Sequence, residues 1–228
     1  MKLNCRELVR FFDEDGEARV HSNAIKTLSG EELAFALMID YFRRSNAEAE
    51  KLPGSCTTGE RKGPRLDGWL KVVEKSQTAL YQVEVKCWSF HGFNSGKPFP
   101  LQLDQDEKKK LRISKWNRYW DTDAKSIYAK SLLAKVLVPM KFRGTPEADI
   151  RPMACIWDAV HPQGDDSPFF SVPLAEKEKF EKLYVFSMSA YLRHVINTLG
   201  KNELELFLPV TEKRLEYLSR IFNINIQV

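Results

Sequence analysis

The sequence predicts an α/β fold, and three observations favour this class. Strand-like and helix-like segments alternate along the chain. Hydrophobic residues make up 43% of the 228 residues, enough to bury a sizeable core in a single domain spanning 1–228. Charged residues make up 29% and form no low-complexity tract, which excludes a disordered chain.

The first half of the chain contains a strong helix pattern at 30–43. Ser29 is placed to cap this helix, and apolar residues on most of its sides predict that the helix is buried. Glycine and proline residues predict a loop at 45–65. Two strands are expected next, at 65–73 and 79–88, joined by a short polar turn.

The second half continues the alternation of strands and helices. The predicted elements are a basic helix at 106–120, strands at 134–142, 151–160, 183–189 and 203–209, and helices at 190–199 and from an N-cap at Thr211. The nearly all-apolar run at 134–142 indicates a central strand. We expect a core at about 25–160 and a C-terminal α/β extension at about 165–228.

The charge and cysteine content limit the classes of protein. Lys and Arg number 35 against 31 Asp and Glu, a mild excess that permits a polyanionic partner without requiring one. The four cysteines are widely spaced and form no C-x-x-C pair, which argues against a disulfide framework or a zinc site and favours a reducing cytoplasm. No leader-like segment and no membrane-spanning run is expected.

The strand YQVEVKCW at 81–88 carries an acid and a base on one side. Residues two apart in a strand share a face, so Glu84 and Lys86 lie on the side opposite the apolar Val83 and Val85. Other acid-x-Lys triplets in the chain lie in loop or amphipathic contexts, where a solvated charge pair is the ordinary explanation.

The register of the predicted hairpin brings a second acid beside Glu84. A turn centred between Lys75 and Ser76 places Asp67 opposite Glu84, with Cβ atoms roughly 5 Å apart. The same register pairs small or apolar residues on the other face: Leu66 with Val85, Gly68 with Val83, and Leu70 with Tyr81.

Two directly opposed carboxylates repel one another unless a cation lies between them. A hard divalent ion such as Mg²⁺ binds one or two carboxylates, keeps several waters and leaves room for a phosphate. Lys86 could then orient or deprotonate an attacking water, or stabilise developing negative charge. The plainer alternative is a polar sheet face that happens to pair Asp67 and Glu84.

This arrangement resembles the PD-(D/E)xK, or restriction-endonuclease-like, nuclease superfamily. The resemblance rests on PRLDGWL, with Asp67 as the first acid, and on VEVK, with Glu84 and Lys86. A helix acid in a G-E-x-x-A-like pattern corresponds to Glu31 in GEELA, with Glu32 as the alternative. The chain departs from the usual motif in one respect, since Pro64 does not directly precede Asp67.

The resemblance implies a restriction-endonuclease-like core of mixed β-sheet flanked by helices and dependence on Mg²⁺ or Mn²⁺. The catalytic residues would be Asp67, Glu84, Lys86 and Glu31, and the metal ligands Asp67, Glu84 and Glu31. The expected reaction is hydrolysis of phosphodiester bonds in DNA or, less often, RNA, with an endonuclease favoured over an exonuclease. Defence, repair and mobile-element systems are the usual settings, in which the chain would act as a homodimer or with a partner protein.

Basic residues flank the predicted site on both sides in the sequence. The candidate nucleic-acid-binding residues are Arg61, Lys62 and Arg65 before the hairpin, and Lys108, Arg112, Lys115 and Arg118 along the basic helix. Such groups supply affinity for phosphates without sequence specificity. For the helix, an ordinary solvated face is an equal alternative. Trp116 could stack on bases, but aromatic residues at helical spacing lie more often in a core.

Two other functions compete with a nuclease. One is a binding module for nucleic acid or a partner protein that keeps the fold without turnover. The other is a metal-dependent hydrolase of small phosphorylated substrates. Asp158 and His161 lie at the end of a predicted strand, where a turn is favoured over a metal site.

Overall fold

The computed structural model describes residues 1–13, 18–53, 57–58, 66–86, 104–120, 136–143, 150–174 and 179–222. Within these ranges the side chains of residues 12–27, 57–58, 105, 115 and 118–120 lie outside the description.

The chain alternates between strands and helices. The strands are β1 (Lys2–Asn4), β2 (Glu48–Leu52), β3 (Thr57–Thr58), β4 (Gly68–Glu74), β5 (Gln77–Lys86), β6 (Lys141–Phe142), β7 (Ile150–Ile156), β8 (Phe169–Pro173), β9 (Lys182–Ser187) and β10 (Glu203–Glu205). The helices are α1 (Cys5–Asp13), α2 (Ala18–Arg44), α3 (Gln105–Trp120), α4 (Met188–Asn197) and α5 (Pro209–Phe222).

A six-stranded mixed sheet organises the fold, in the order β2-β4-β5-β7-β9-β8. β5, β7 and β9 run parallel, and the remaining neighbours in this sheet are antiparallel. Helices flank the sheet, so the prediction of an α/β fold is confirmed. β8 and β9 come from the predicted C-terminal extension, which therefore continues the main sheet.

The β4–β5 hairpin has the register that the sequence predicts. Gly68 pairs with Val83 and Leu70 with Tyr81, as expected from a turn centred between Lys75 and Ser76. Both turn residues have positive φ, 46° and 69°, as a two-residue hairpin turn with the right-handed twist of its strands requires.

One face of the sheet packs against α1, α2 and α4. Tyr81, Val83 and Val85 of β5 lie in this core, which is the face that the sequence predicts to be dry. α2 approaches β4 closely at Gly68, where an added Cβ would lie 2.7 Å from Cζ of Phe35. Gly68 is therefore required by the packing of the helix on the strand.

The opposite face of the sheet is also covered. Trp116 of α3 packs there with Ala154 and Ile156 of β7. The chain at 136–140 crosses the same face beside β5, held by the side-chain amide of Gln82. Gln82 donates to the carbonyls of residues 136 and 138 and accepts from the N–H of residue 140. The polar side of β5 is thus interior.

The predicted central strand at 134–142 is wrong in its placement. Within the described part of this run, 136–142, only Lys141–Phe142 is a strand, and it pairs with β3 in a separate two-stranded ladder. Pro139 has no N–H to donate, and the side chain of Gln82 takes the hydrogen bonds that a neighbouring strand would otherwise supply. The run is apolar because it lies over a buried sheet face.

Two predicted helix caps differ from the structure. α2 begins at Ala18, so Ser29 is a buried residue inside the helix and not its N-cap. α5 begins at Pro209, so Thr211 lies in its first turn. The C-terminus of α2 closes around Asn46, whose φ of 61° allows the N–H of Ala47 to bond the carbonyl of Phe42.

The N-terminal strand pairs with a short strand that precedes the C-terminal helix. β1 pairs with β10, and the N-terminal amine of Met1 donates to the carbonyl of Leu206. Among the described residues, none of the helices combines the length and apolarity needed to cross a bilayer.

Candidate active site

The carboxyl ends of the three parallel strands lie side by side. Lys86 of β5, Ile156 of β7 and Ser187 of β9 form one row of paired Cα positions. Beyond this row, the N–H of Trp157 donates to the carbonyl of Lys86 at 3.0 Å, and the N–H of Ser189 donates to the carbonyl of Trp157 at 2.8 Å. These bonds hold the segments that follow the strands in a fixed arrangement.

Glu84 is buried at this edge of the sheet. The residue is 1% exposed, and its Oε1 accepts a hydrogen bond from Nζ of Lys86. A carboxylate is rarely this buried unless it is paired, and Lys86 supplies the opposite charge from the same strand. The Lys86 side chain is 23% exposed, so its ammonium connects the buried carboxylate with the surface.

Asp67 lies at the bend that leads into β4. Its N–H donates to the carbonyl of Val83 at 3.2 Å, and its Oδ2 accepts from the N–H of Val85 at 2.6 Å. The carboxylate thus continues the hairpin ladder in place of a backbone carbonyl. The paired residues of the hairpin begin at Gly68, so the predicted pairing of Asp67 with Glu84 is not part of the ladder; its bonds to Val83 and Val85 place Asp67 next to Glu84, with one carboxylate oxygen bonded to the backbone.

The helix acids Glu31 and Glu32 have different surroundings. Glu32 accepts hydrogen bonds from the N–H of Val210, the N–H of Thr211 and the hydroxyl of Thr211. It caps α5, the role that the sequence assigns to Thr211. Glu31 is exposed and lies one turn before Phe35, whose ring packs against Gly68 next to Asp67. Glu32 thus has a structural role, whereas the catalytic role of Glu31 stays a prediction.

Among the described residues, no group of three or more His, Cys, Asp or Glu side chains is arranged to hold a metal ion. Glu31 therefore does not close a three-carboxylate cluster with Asp67 and Glu84. The pair that remains offers oxygen donors only, which fits Mg²⁺, since this ion uses one or two carboxylates and completes its shell with water.

The predicted basic surface is only partly described. Arg61, Lys62 and Arg65, and the side chains of Lys115 and Arg118, lie outside the described residues. Lys108 is half-buried. Arg112 turns inward, and its Nε lies 3.1 Å from Oδ2 of Asp158. Of the four predicted basic residues of α3, the two with described side chains are Lys108 and Arg112. Neither is fully solvated, and neither is fully accessible to a ligand.

Asp158 is the centre of a cluster that the sequence does not reveal. The residue is 1% exposed, and Oδ1 accepts from the hydroxyl of Ser189 at 3.0 Å and lies 3.7 Å from Nη2 of Arg193. Its main-chain oxygen accepts from Nε1 of the buried Trp116 at 2.6 Å. An acid directly after an apolar strand is the one local signal, and it does not identify these partners.

Two surface depressions lie away from these side chains. One is lined by residues at the end of α2, the start of β2 and the end of β4. The other is lined by Arg151, Lys182 and Tyr184, among others, at the amino ends of β7 and β9. Both are at the opposite ends of the parallel strands from Lys86. The segment 87–103, which follows Lys86, lies outside the described residues.

No protein-family model matches the chain, and neither the curated proteins nor the solved structures contain a match. What the chain does is therefore inferred from its own residues.

Proposed function

We propose that the chain is a nuclease that depends on Mg²⁺ or Mn²⁺ and hydrolyses phosphodiester bonds of DNA. One observation carries this proposal. The buried Glu84 is paired with the partly exposed Lys86 at the carboxyl end of β5, beside Asp67. An acid and a base that lie mostly out of water at the end of a strand interact more strongly with a metal ion or a phosphate than a solvated pair does, because the local dielectric is lower.

The architecture supports the same proposal. A mixed sheet flanked by helices is the core that the sequence motif implies, and the acids and lysine of the motif meet on one hairpin. We therefore propose the restriction-endonuclease-like form of the α/β fold. Cys5 and Cys155 are buried cysteines that form no disulfide, which favours a reducing compartment such as the cytoplasm.

The residues at the hairpin divide the chemistry between them. Asp67 and Glu84 would hold the divalent ion, which polarises the scissile phosphate and lowers the pKa of a bound water. The ammonium of Lys86 orients that water and stabilises the negative charge that develops on the phosphate. In the overall reaction the water oxygen bonds to phosphorus and the water gives up one proton to solvent, while the bond from phosphorus to the sugar oxygen breaks and that oxygen takes up a proton from solvent.

A second function is favoured by the burial of Glu84. A carboxylate that is 1% exposed and already bonded to Lys86 also suits a binding module that keeps the fold without turnover. Such a module binds nucleic acid without hydrolysing it. Metal-dependent cleavage separates the two functions.

The first test is cleavage of supercoiled plasmid, linear duplex, single-stranded DNA and RNA with Mg²⁺ or Mn²⁺. We expect cutting of DNA, loss of cutting in EDTA, and a fall of at least ~100-fold in Glu84→Gln and Lys86→Met. Nicking of the closed plasmid would establish an endonuclease. Glu31→Gln should lower cutting less, and Glu32→Gln should act through stability, since Glu32 caps α5.

A matched control is a second Lys–Glu pair among the described strands of the sheet. Lys71 and Glu50 lie 3.1 Å apart between β4 and β2, and both are exposed. Glu50→Gln and Lys71→Met should cut like the wild type. Equal rates for Glu84→Gln and the wild type would refute the assignment of Glu84, and DNA binding without any cutting would favour the binding module. Sedimentation with and without DNA would show whether a homodimer forms.

A further inference from the structure

Two arginines converge on the buried Asp158 from two different helices. Arg112 reaches it from α3 and Arg193 from α4, while Asp158 itself follows β7. Arg193 also donates through Nη1 to the hydroxyl of Ser189 at 3.3 Å. A guanidinium stays charged at any physiological pH, so this group of described side chains contains two cations and one anion.

The cluster lies on the same side and at the same end of the sheet as Glu84 and Lys86. In the parallel register, Glu84 pairs with Ala154 and Lys86 with Ile156, and Asp158 follows two residues later. Neighbouring strands are about 4.8 Å apart, so the Cα atoms of Lys86 and Ser187 are separated by roughly 10 Å. A nucleic-acid strand lying across this edge reaches from one group to the other within a few nucleotides.

The two arginines differ in their access to solvent. The side chain of Arg112 is 14% exposed, whereas that of Arg193 is 32% exposed. The ion-pair distances differ in the same sense, 3.1 Å for Arg112 and 3.7 Å for Arg193. Arg112 is thus the closer and more buried partner of Asp158, and Arg193 has the more exposed side chain of the two.

We propose that Arg193 binds a phosphate of the nucleic acid close to the scissile one, and that Asp158 is the positioning residue that orients its guanidinium. This inference rests on the proposed function, since it names a contact of the same substrate. The planar fork of arginine matches phosphate oxygens, and a guanidinium already held by Asp158 and Ser189 loses less conformational entropy when the phosphate binds.

The experiment measures binding of a fluorescein-labelled DNA duplex in Ca²⁺ by anisotropy across a range of KCl concentrations. Arg193→Gln should weaken binding roughly tenfold. It should also reduce the slope of log K against log salt by about one, the change expected when one phosphate contact is lost. Arg193→Lys should retain most of the slope because it keeps the charge.

The control is Arg151, an exposed arginine at the amino end of β7 that lies over Tyr81 and Tyr184. Arg151→Gln should leave both the affinity and the salt slope unchanged. Urea unfolding of each variant shows whether Arg193 matters only for stability. A less stable Arg193→Gln with wild-type affinity and slope would overturn the inference and make the cluster a structural link between α3, β7 and α4.

The inference and the proposed function fail in different ways. Cleavage by the wild type, together with unchanged binding and cutting by Arg193→Gln, overturns the inference alone. A wild type that binds but does not cut, with a salt slope still reduced in Arg193→Gln, overturns the nuclease proposal and supports the phosphate contact. Wild-type protein that does not bind the duplex overturns both.

Discussion

Two buried carboxylates lie at the same edge of the sheet, and their cationic partners come from different parts of the chain. Glu84 and Asp158 are each 1% exposed. Glu84 is paired with Lys86, two residues away on its own strand. The side chain of Asp158 is paired with residues of α3 and α4, and its hydrogen-bond partner Ser189 lies 31 residues along the chain.

Glu84 and Lys86 therefore form a local ion pair, whereas the ion pairs of Asp158 join residues that are distant in the sequence. Lys86 can turn its ammonium to water if Glu84 is changed, since its side chain is 23% exposed. Arg112 is 14% exposed and has less freedom to do so. We therefore expect the hairpin pair to matter mainly for chemistry and the Asp158 cluster to matter strongly for stability.

The largest expected effect is that of Asp158→Asn. Removing the charge leaves Arg112 without its close carboxylate in a mostly buried site, which should cost about 3–5 kcal/mol of unfolding free energy. Urea denaturation followed by tryptophan fluorescence measures this. Asp166→Asn is the matched control. Oδ2 of Asp166 lies 3.0 Å from Nζ of Lys109, which belongs to α3 as Arg112 does, but the Asp166 side chain is 84% exposed. It should cost at most ~1 kcal/mol.

Glu84→Gln tests whether Glu84 contributes less to stability than Asp158 does. We expect a change in unfolding free energy within about 1 kcal/mol in either direction, because the variant removes a buried charge as well as an ion pair. A cost as large as that of Asp158→Asn would show that Glu84 is a structural residue, and the distinction between the two carboxylates would be lost.

An effect smaller than that of Asp158→Asn is expected at Gly68, next to Asp67. Gly68→Ala places a methyl group 2.7 Å from Cζ of Phe35, and the overpacking should cost ~1–3 kcal/mol. Phe35→Leu in the same chain should recover part of this loss, a coupling that a double-mutant cycle in urea detects. Additive effects of the two changes would contradict the close approach of α2 to β4.

The smallest effect is expected at the hairpin turn, and it is stabilising. Lys75 and Ser76 both have positive φ, which Asn and Gly adopt more readily. Lys75→Asn with Ser76→Gly should therefore raise the unfolding free energy by about 1 kcal/mol, measured as an increase in Tm. Glycine at the exposed Thr78, inside β5, is the control and should lower Tm. A lower Tm in the turn variant would contradict the turn geometry.

Sequence patterns predicted the hairpin well because its contacts are local. The alternation of apolar and polar residues predicted which face of β5 lies in the core. The position of the turn at Lys75 predicted the hairpin register, which brings Asp67 next to Glu84. The same patterns failed at 134–142, where a run of apolar residues indicates burial without indicating a strand. They also failed at Thr211, whose helix is capped by Glu32 from 179 residues away.

The amino-acid sequence by itself determined the α/β class and the hairpin with Asp67, Glu84 and Lys86, since these depend on periodicity and turn length along neighbouring residues. Only the tertiary structure decided that the polar side of β5 is interior, that Gln82 holds the chain at 136–140 over it, and that Arg112 and Arg193 meet at Asp158. The reason is physical. A charge or amide in the interior is stable only with partners around it, and which distant residues become those partners depends on how the helices pack on the sheet.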